Sequence, residues 1–318
     1  MMVKFHLPDF AGYLKFNLVF IEFMKHYPEY FREGVEIASV YGTFPPAIWN
    51  GGRMQEGICD RKAVKSVVKA FNERGIPLRF TFTNPMLEKK HLSDDFCNMI
   101  MNVANNGMNE VIVVSPILED YIRKNYPKYK LTSSTCKRIT DLEALCNEIN
   151  KDYHIIVVDY DFNNKFDLLE KIPQKEKCEI LVNACCEPVC KRRSEHYRSI
   201  GLQQIAYSNH MKKYPNMPFN PERLLSEHPE IEQIADCQCM ERNIFDIKKM
   251  RTHITPDDIW EKYVPMGFRQ FKIEGRTFDM FNLMEHYLYY MIKPECKEQA
   301  RFMFLKQLNV NDVITVNE

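Results

Sequence analysis

Residues 77–115 read PLRFTFTNPMLEKKHLSDDFCNMIMNVANNGMNEVIVVS. Two short runs rich in β-branched and aromatic residues, PLRFTFT (77–83) and EVIVVS (110–115), flank a segment whose apolar side chains recur at Phe96, Met99, Ile100 and Val103. That spacing is one face of a helix packed on a sheet. Strand, helix and second strand in this order make the unit of a parallel sheet.

Outward from this unit the rhythm repeats. Further strands are expected at VEIASVY (35–41), YKLTSS (129–134), HIIVVDY (154–160), CEILVN (178–183), QQIAYS (203–208) and RQFKIE (269–274). The helical stripe recurs at Val64, Val67, Val68 and Phe71, and again at Leu142, Leu145, Cys146 and Ile149. Capping boxes are expected at Thr140 with Glu143 and at Thr255 with Asp258, the second with Pro256 at the first helical position. About eight strand–helix units, with no glycine-rich dinucleotide fingerprint after the first strand read, point to an α/β fold of the (β/α)8 TIM-barrel type rather than a doubly wound sheet. Residues 1–318 read as a single such domain, with 185–251 an elaborated loop region that breaks the rhythm. A barrel gathers its functional groups at the C-terminal ends of its strands. The residues expected there are polar: Asn84, Ser115, Ser133 to Cys136, Asp159, Asp161, Asn183 to Cys186, Ser208 to His210 and Glu274 to Arg276.

Hydrophobic residues make up 45% of the 318, enough for a large core, and 43 basic residues balance 43 acidic ones. Zero net charge argues against a protein that coats nucleic acid or a membrane surface. The most apolar N-terminal stretch, Phe16 to Met24, is broken by Asn17 and Glu22. The expectation is therefore no signal peptide, no membrane span and a cytoplasmic location.

In a reducing compartment the eleven cysteines are not expected to form a disulfide framework. Metal binding is the better account of those that cluster. Cys185 and Cys186 follow a buried strand, Cys190 stands four residues beyond Cys186, and Cys237 and Cys239 form a second group. Cys186, Cys190, Cys237 and Cys239 together supply four thiolates, a set that suits zinc or an iron-sulfur cluster and does not choose between them. Cys59 and Cys185 are further candidates for the fourth position. Cys97 and Cys146 sit on helical apolar faces and read as core.

Three stretches carry a family resemblance. ITPDDIWEKY (254–263) leading into MGFRQFKIEGR (266–276) resembles the C-terminal signature of peptidase family U32, VNACCEPVCKRRSEHY (182–197) resembles that family's cluster-binding stretch, and YGTFPPAIWNGGR (41–53) stands where relatives carry a loop after the first strand. The resemblance implies a TIM-barrel-like fold and, in members such as the anaerobic ubiquinone-biosynthesis and tRNA and ribosomal-RNA hydroxylation proteins, a 4Fe-4S cluster on four cysteines. It implies oxygen-independent hydroxylation with prephenate as oxygen donor, RNA as one substrate class, and in some members a protein partner of the same family. Cys186 and Cys190 match ligand positions; one or both of Cys237 and Cys239 match the later ones.

Around such a centre, Arg53 and Arg276 are candidate clamps for an anionic or aromatic substrate. Lys272, Glu274 and Arg276 alternate with Phe271 and Ile273, so the two sets face opposite sides of a strand, with a structural ion pair inside the barrel as the competing role. Lys191, Arg192 and Arg193 offset thiolate charge or form a solvated or RNA-facing surface, and His196, Tyr197 and His210 are candidates for proton transfer. The expected activity is an iron-sulfur oxidoreductase or hydroxylase. A peptidase and a non-catalytic cluster- or zinc-binding subunit are the alternatives, although no nucleophile elbow and no HExxH is present.

Overall fold

The computed structural model describes residues 2–227, 229 and 238–315. Eight parallel strands close into a barrel in sequence order: β1 Val3–Pro8, β2 Val35–Gly42, β3 Leu78–Phe82, β4 Glu110–Val113, β5 Lys130–Ser133, β6 Ile155–Val158, β7 Cys178–Leu181 and β8 Gln270–Lys272. Closure is made by β8, which pairs with β7 through Ile180 and Phe271 and with β1 through Phe5 and Phe271. Around the strands run α1 Leu14–His26, α2 Arg61–Asn72, α3 Asp95–Val103, α4 Pro116–Asn125, α5 Leu142–Ile149, α6 Phe166–Leu169 and α7 Arg193–Lys213. Two further helices, Met280–Met291 and Lys297–Val310, cover α1. Among the described residues no helix is long and apolar enough to cross a membrane.

The expected eight strands are present, but two identities change. VKFHLP forms β1, a strand not expected from the sequence, and Asp9 turns the chain after it with φ 56°. QQIAYS (203–208) is helical, lying inside α7. Its buried positions, Ile200, Gly201, Gln204, Tyr207 and Ser208, follow a helical period, yet Gln204 and Ser208 are polar, so no apolar stripe announces them. The cysteine stretch therefore follows the seventh strand, and Arg53 the second. The region 185–251, expected as an elaborated loop, contains the 21-residue α7. The cap of α5 is Asp141 rather than Thr140, its carboxylate accepting from Ala144 N at 2.9 Å. The Thr255 box forms as expected, Thr255 Oγ1 accepting from Asp258 N at 3.0 Å.

The lower barrel holds charge. Arg79 and Glu179 are both fully buried and form an ion pair across the lumen. Arg79 Nη2 also donates to Thr132 Oγ1 at 3.1 Å, while Lys272 Nζ lies 3.6 Å from Glu179 Oε1. Beside them His6 accepts from Ser39 Oγ at Nδ1 (2.6 Å) and donates from Nε2 to Gln270 Oε1 (3.0 Å). Burial pushes the His6 pKa down to about 4, so the ring is neutral. Lys272 thus takes the structural role weighed for it, while Phe271 and Ile273 pack outward beneath the helices.

Burial pushes the Glu179 carboxyl up, but Arg79, then Lys272 and His6, outweigh it and hold it at about 2 against an ordinary 4.5. A depressed carboxyl contributes stability above its unfolded pKa and loses it as pH falls through the folded one. Glu179→Gln should therefore cost about 3 kcal/mol at pH 7, because Arg79 loses its closer carboxylate and keeps only Glu110, whose Oε2 lies 3.5 Å from its Nε. Urea unfolding followed by circular dichroism should also show a shallower loss of stability between pH 4.5 and about 2 than in wild type; an unchanged slope would contradict the assignment.

Candidate functional site

Above this layer the C-terminal strand ends surround a cavity of about 90 Å3, lined by Gly52, Arg53, Cys136, Cys186, Arg193, His196, Cys239, Lys272, Glu274 and Arg276 among others. The period-two alternation of the strand containing β8 places Lys272 at its floor and Glu274 and Arg276 above, all on the lumen side. Asn183 fixes that segment, accepting from Glu274 N at 2.7 Å and donating to Glu274 O at 2.9 Å.

Glu274 then ties two loops together. Its carboxylate pairs with Arg53 after β2 and accepts from Cys185 N after β7 at 3.1 Å. Arg53 Nη2 also donates to Cys185 Sγ at 3.3 Å. Burial opposes the Arg53 charge, and Glu274 and Cys185 overcome that, holding its pKa above the ordinary arginine value.

The loop after β2 lies flat against β3 because it is glycine-rich. A Cβ on Gly51 would stand 2.3 Å from Thr83 O, and Gly52 sits at φ 73°. Asn50 donates to Gln204 Oε1 on α7 at 3.0 Å and accepts from Thr81 Oγ1 at 3.1 Å, so that helix and the loop position each other.

The cysteine-bearing turn hangs from α7. Of the three consecutive basic residues, Lys191 and Arg192 are exposed, whereas Arg193 turns inward and is 1% exposed. Its Nη2 lies 2.5 Å from Asp159 Oδ2 and 3.4 Å from Asp161 Oδ2, and its guanidinium covers the Tyr160 ring at 4.2 Å. Asp161 also accepts from Val189 N at 2.7 Å. The β6 and β7 loops are thereby pinned around one cation.

On that support Cys186 meets Cys239. A side-chain hydrogen bond from Cys239 is the largest influence on the Cys186 thiol; burial opposes it, and the Tyr160 hydroxyl and Arg193 add to it, so the pKa falls to about 6. These contacts favour the thiolate of Cys186, the form that binds metals and attacks electrophiles. His196, on the first turn of α7, is held neutral: burial, then the charges of Arg53 and Arg192, lower its pKa to about 4.

The structure sorts the other candidates. Arg53, His196, Arg276 and Tyr197 share the cavity wall with Cys186 and Cys239. Cys190 is half-buried on the same turn, and its carbonyl accepts from Arg193 N at 3.4 Å. Cys237 lies outside the described residues. Cys185 is fully buried, its sulfur turned to Arg53 rather than the cavity. Cys59, expected to be able to reach the mouth, stands instead at the start of α2, where its thiol donates to Asp60 O at 3.6 Å. His210 lies at the far end of α7, bonded to Met217 O, and is no part of the site. Among the described residues no three His, Cys, Asp or Glu side chains converge on a metal position. The sequence reading left Cys136 without a role, although its place after a strand end was visible; it lines the cavity.

No family model and no curated protein match the chain. Among solved structures it is similar to "The Structure of the U32 Peptidase Mk0906", with a TM-score of 0.50 and 11% identity, covering 86% of this chain and 94% of that one. At that identity the likeness shows the barrel fold alone.

The thiol order is directly measurable. In metal-free protein at pH 7.5, iodoacetamide should modify Cys186 ahead of Cys59, because burial and Asp60 push the Cys59 thiol up to about 11. Peptide mapping that finds Cys59 modified first would contradict the environment described for Cys186.

Proposed function

We propose that the chain is a U32-type enzyme that holds a 4Fe-4S cluster at its barrel mouth and carries out an oxygen-independent hydroxylation or a related redox modification of a small anionic substrate. The observation that carries this reading is the meeting of Cys186 and Cys239, the first favoured as a thiolate, on the wall of a cavity at the C-terminal face. Cys186 and Cys239 are two of the four ligands, with Cys190 on the same turn and Cys237 two residues before Cys239. Soft thiolates in a group suit an iron-sulfur cluster or zinc; the FKIEGR and CCEPVC resemblances favour the cluster.

When bound, the cluster supplies one-electron chemistry. The surrounding residues do the rest. Arg193, compensated by Asp159 and Asp161, steadies thiolate charge without leaving a bare cation in the core. Neutral His196 can hydrogen-bond a substrate within the cavity, while Arg53 and Arg192 disfavour its protonation. Arg276 is available to hold an anion, whereas Arg53, committed to Glu274, shapes the loop beside it.

Hydrolysis is the second reading, since the similar structure is described as a peptidase and Cys186 shares its cavity with a neutral imidazole. Against it, the hydrogen bonds of the Cys186 thiol run to Cys239 and Tyr160 and not to His196, so the nucleophile–base pair required for thiol hydrolysis is not formed.

Anaerobic purification followed by iron, sulfide and zinc analysis and a visible spectrum tests the proposal. Iron and acid-labile sulfide should be present in wild type and lost in Cys186→Ala and Cys239→Ala. Cys97→Ala, which removes a fully buried core thiol, should keep them and cost only about 1–2 kcal/mol of stability. Zinc without sulfide, or peptide hydrolysis by metal-free protein, would sink the redox reading.

A further inference from the structure

Four cations line the cavity, and three of them are already paired. Arg53 is bound by Glu274, Arg193 by Asp159 and Asp161, and Lys272 by Glu179. Arg276 alone among them has no carboxylate within ion-pair distance among the described residues. Its partners are neutral: Nη1 donates to Asn50 Oδ1 at 3.1 Å and Thr81 Oγ1 at 3.2 Å, and Nη2 to Gly51 O at 2.9 Å.

A guanidinium carries five N–H donors: one on Nε and two on each terminal nitrogen. Three are spent, two of them on Nη1. One remains on Nη2 and one on Nε, neighbouring nitrogens whose spacing matches the two oxygens of a carboxylate. The space beside them is kept open by glycine. A Cβ on Gly52 would lie 3.3 Å from Arg276 Nη2 and 3.5 Å from Cys136 Sγ, so a side chain there would enter the gap between the two. On the wall with Cys136, the buried hydroxyl of Thr135 has no hydrogen-bond partner.

We propose that Arg276, opened by Gly52 and facing Cys136 and Thr135, is the anchor for a single carboxylate of a small organic substrate, and that Arg53 is not. The inference deepens the functional proposal and rests on its placement of the active site at the barrel mouth; it does not depend on which metal is bound there. Asp9 acts on Arg276 only from beyond ion-pair distance, so no carboxylate occupies its two remaining donors, which can engage a planar carboxylate from one edge. Phosphate, as a dianion, would bring more charge than this subsite balances.

The test is binding of acetate, acetamide and inorganic phosphate to the full chain as purified, with metal and sulfide assayed in the same sample. Thermal shift and titration calorimetry should be run at matched ionic strength. Acetate should stabilise the wild type more than either acetamide or phosphate. Arg276→Lys, which keeps the charge and loses the paired donors, should weaken acetate by about tenfold, a loss of about 1.4 kcal/mol. Arg276→Gln should abolish the preference, and Lys65→Gln on the exposed face of α2 should leave it intact. Should Arg276→Gln not fold, Arg276→Lys still decides. Acetate binding unaltered by either variant, or phosphate bound as tightly as acetate, overturns the inference. Protein without iron and sulfide that still binds acetate through Arg276 would leave this inference standing while the cluster reading fell; cluster-loaded protein with no acetate preference would do the reverse.

Discussion

The ion pair between Arg79 and Glu179 constrains everything above it. Both side chains are fully buried inside a closed barrel, where an unpaired charge would cost several kcal/mol. Their pairing dictates that β3 and β7 face one another across the lumen at a fixed height. Lys272 answers the second oxygen of Glu179, which adds β8 to the same layer. Three strands widely separated in sequence are thus held in register by charge, in a place where apolar packing alone would tolerate sliding.

From that layer the mouth follows by alternation. Once Lys272 points into the lumen, Glu274 and Arg276 must follow it at steps of two residues, and Phe271 and Ile273 must turn to the helices. Glu274 and Arg276 then divide the labour of the mouth. The carboxylate is consumed in tying the loops after β2 and β7 together through Arg53 and Cys185, and the guanidinium is left with neutral partners. Arg276 keeps only neutral hydrogen-bond partners because Glu274 is engaged by Arg53.

Much of this was legible in the sequence wherever a pattern is local. The βα rhythm, the alternation over RQFKIE and the Thr255 cap each depend on residues within a few positions of one another, and each appears in the structure. What the sequence hid is long-range or polar. No local signal shows that Arg53 belongs to Glu274, two hundred and twenty-one residues away. The helical face of α7 escaped notice because it buries Gln204 and Ser208 where a stripe of leucines would have marked it, and Gln204 is buried only because Asn50 and the backbone of Gln55 receive it. In the same way three consecutive basic residues look alike until Asp159 and Asp161 select Arg193 to turn inward.

That selection explains how a thiolate can wait in a cavity crowded with charge. Arg193 attracts Cys186, but its two aspartates already balance it, so the cysteine-bearing turn is anchored whether or not the thiolate is engaged elsewhere. Glu274 acts on Cys186 in the opposite sense, raising its pKa, and is itself restrained by Arg53. The thiolate is therefore stabilised mainly by the short-range hydrogen bonds from Cys239 and Tyr160, which depend on geometry more than on net charge. Bringing a metal to Cys186 would replace those donors and leave the Arg193 and Glu274 pairs undisturbed. The contacts of Cys186 are thus separate from the ion pairs that hold the loops around it.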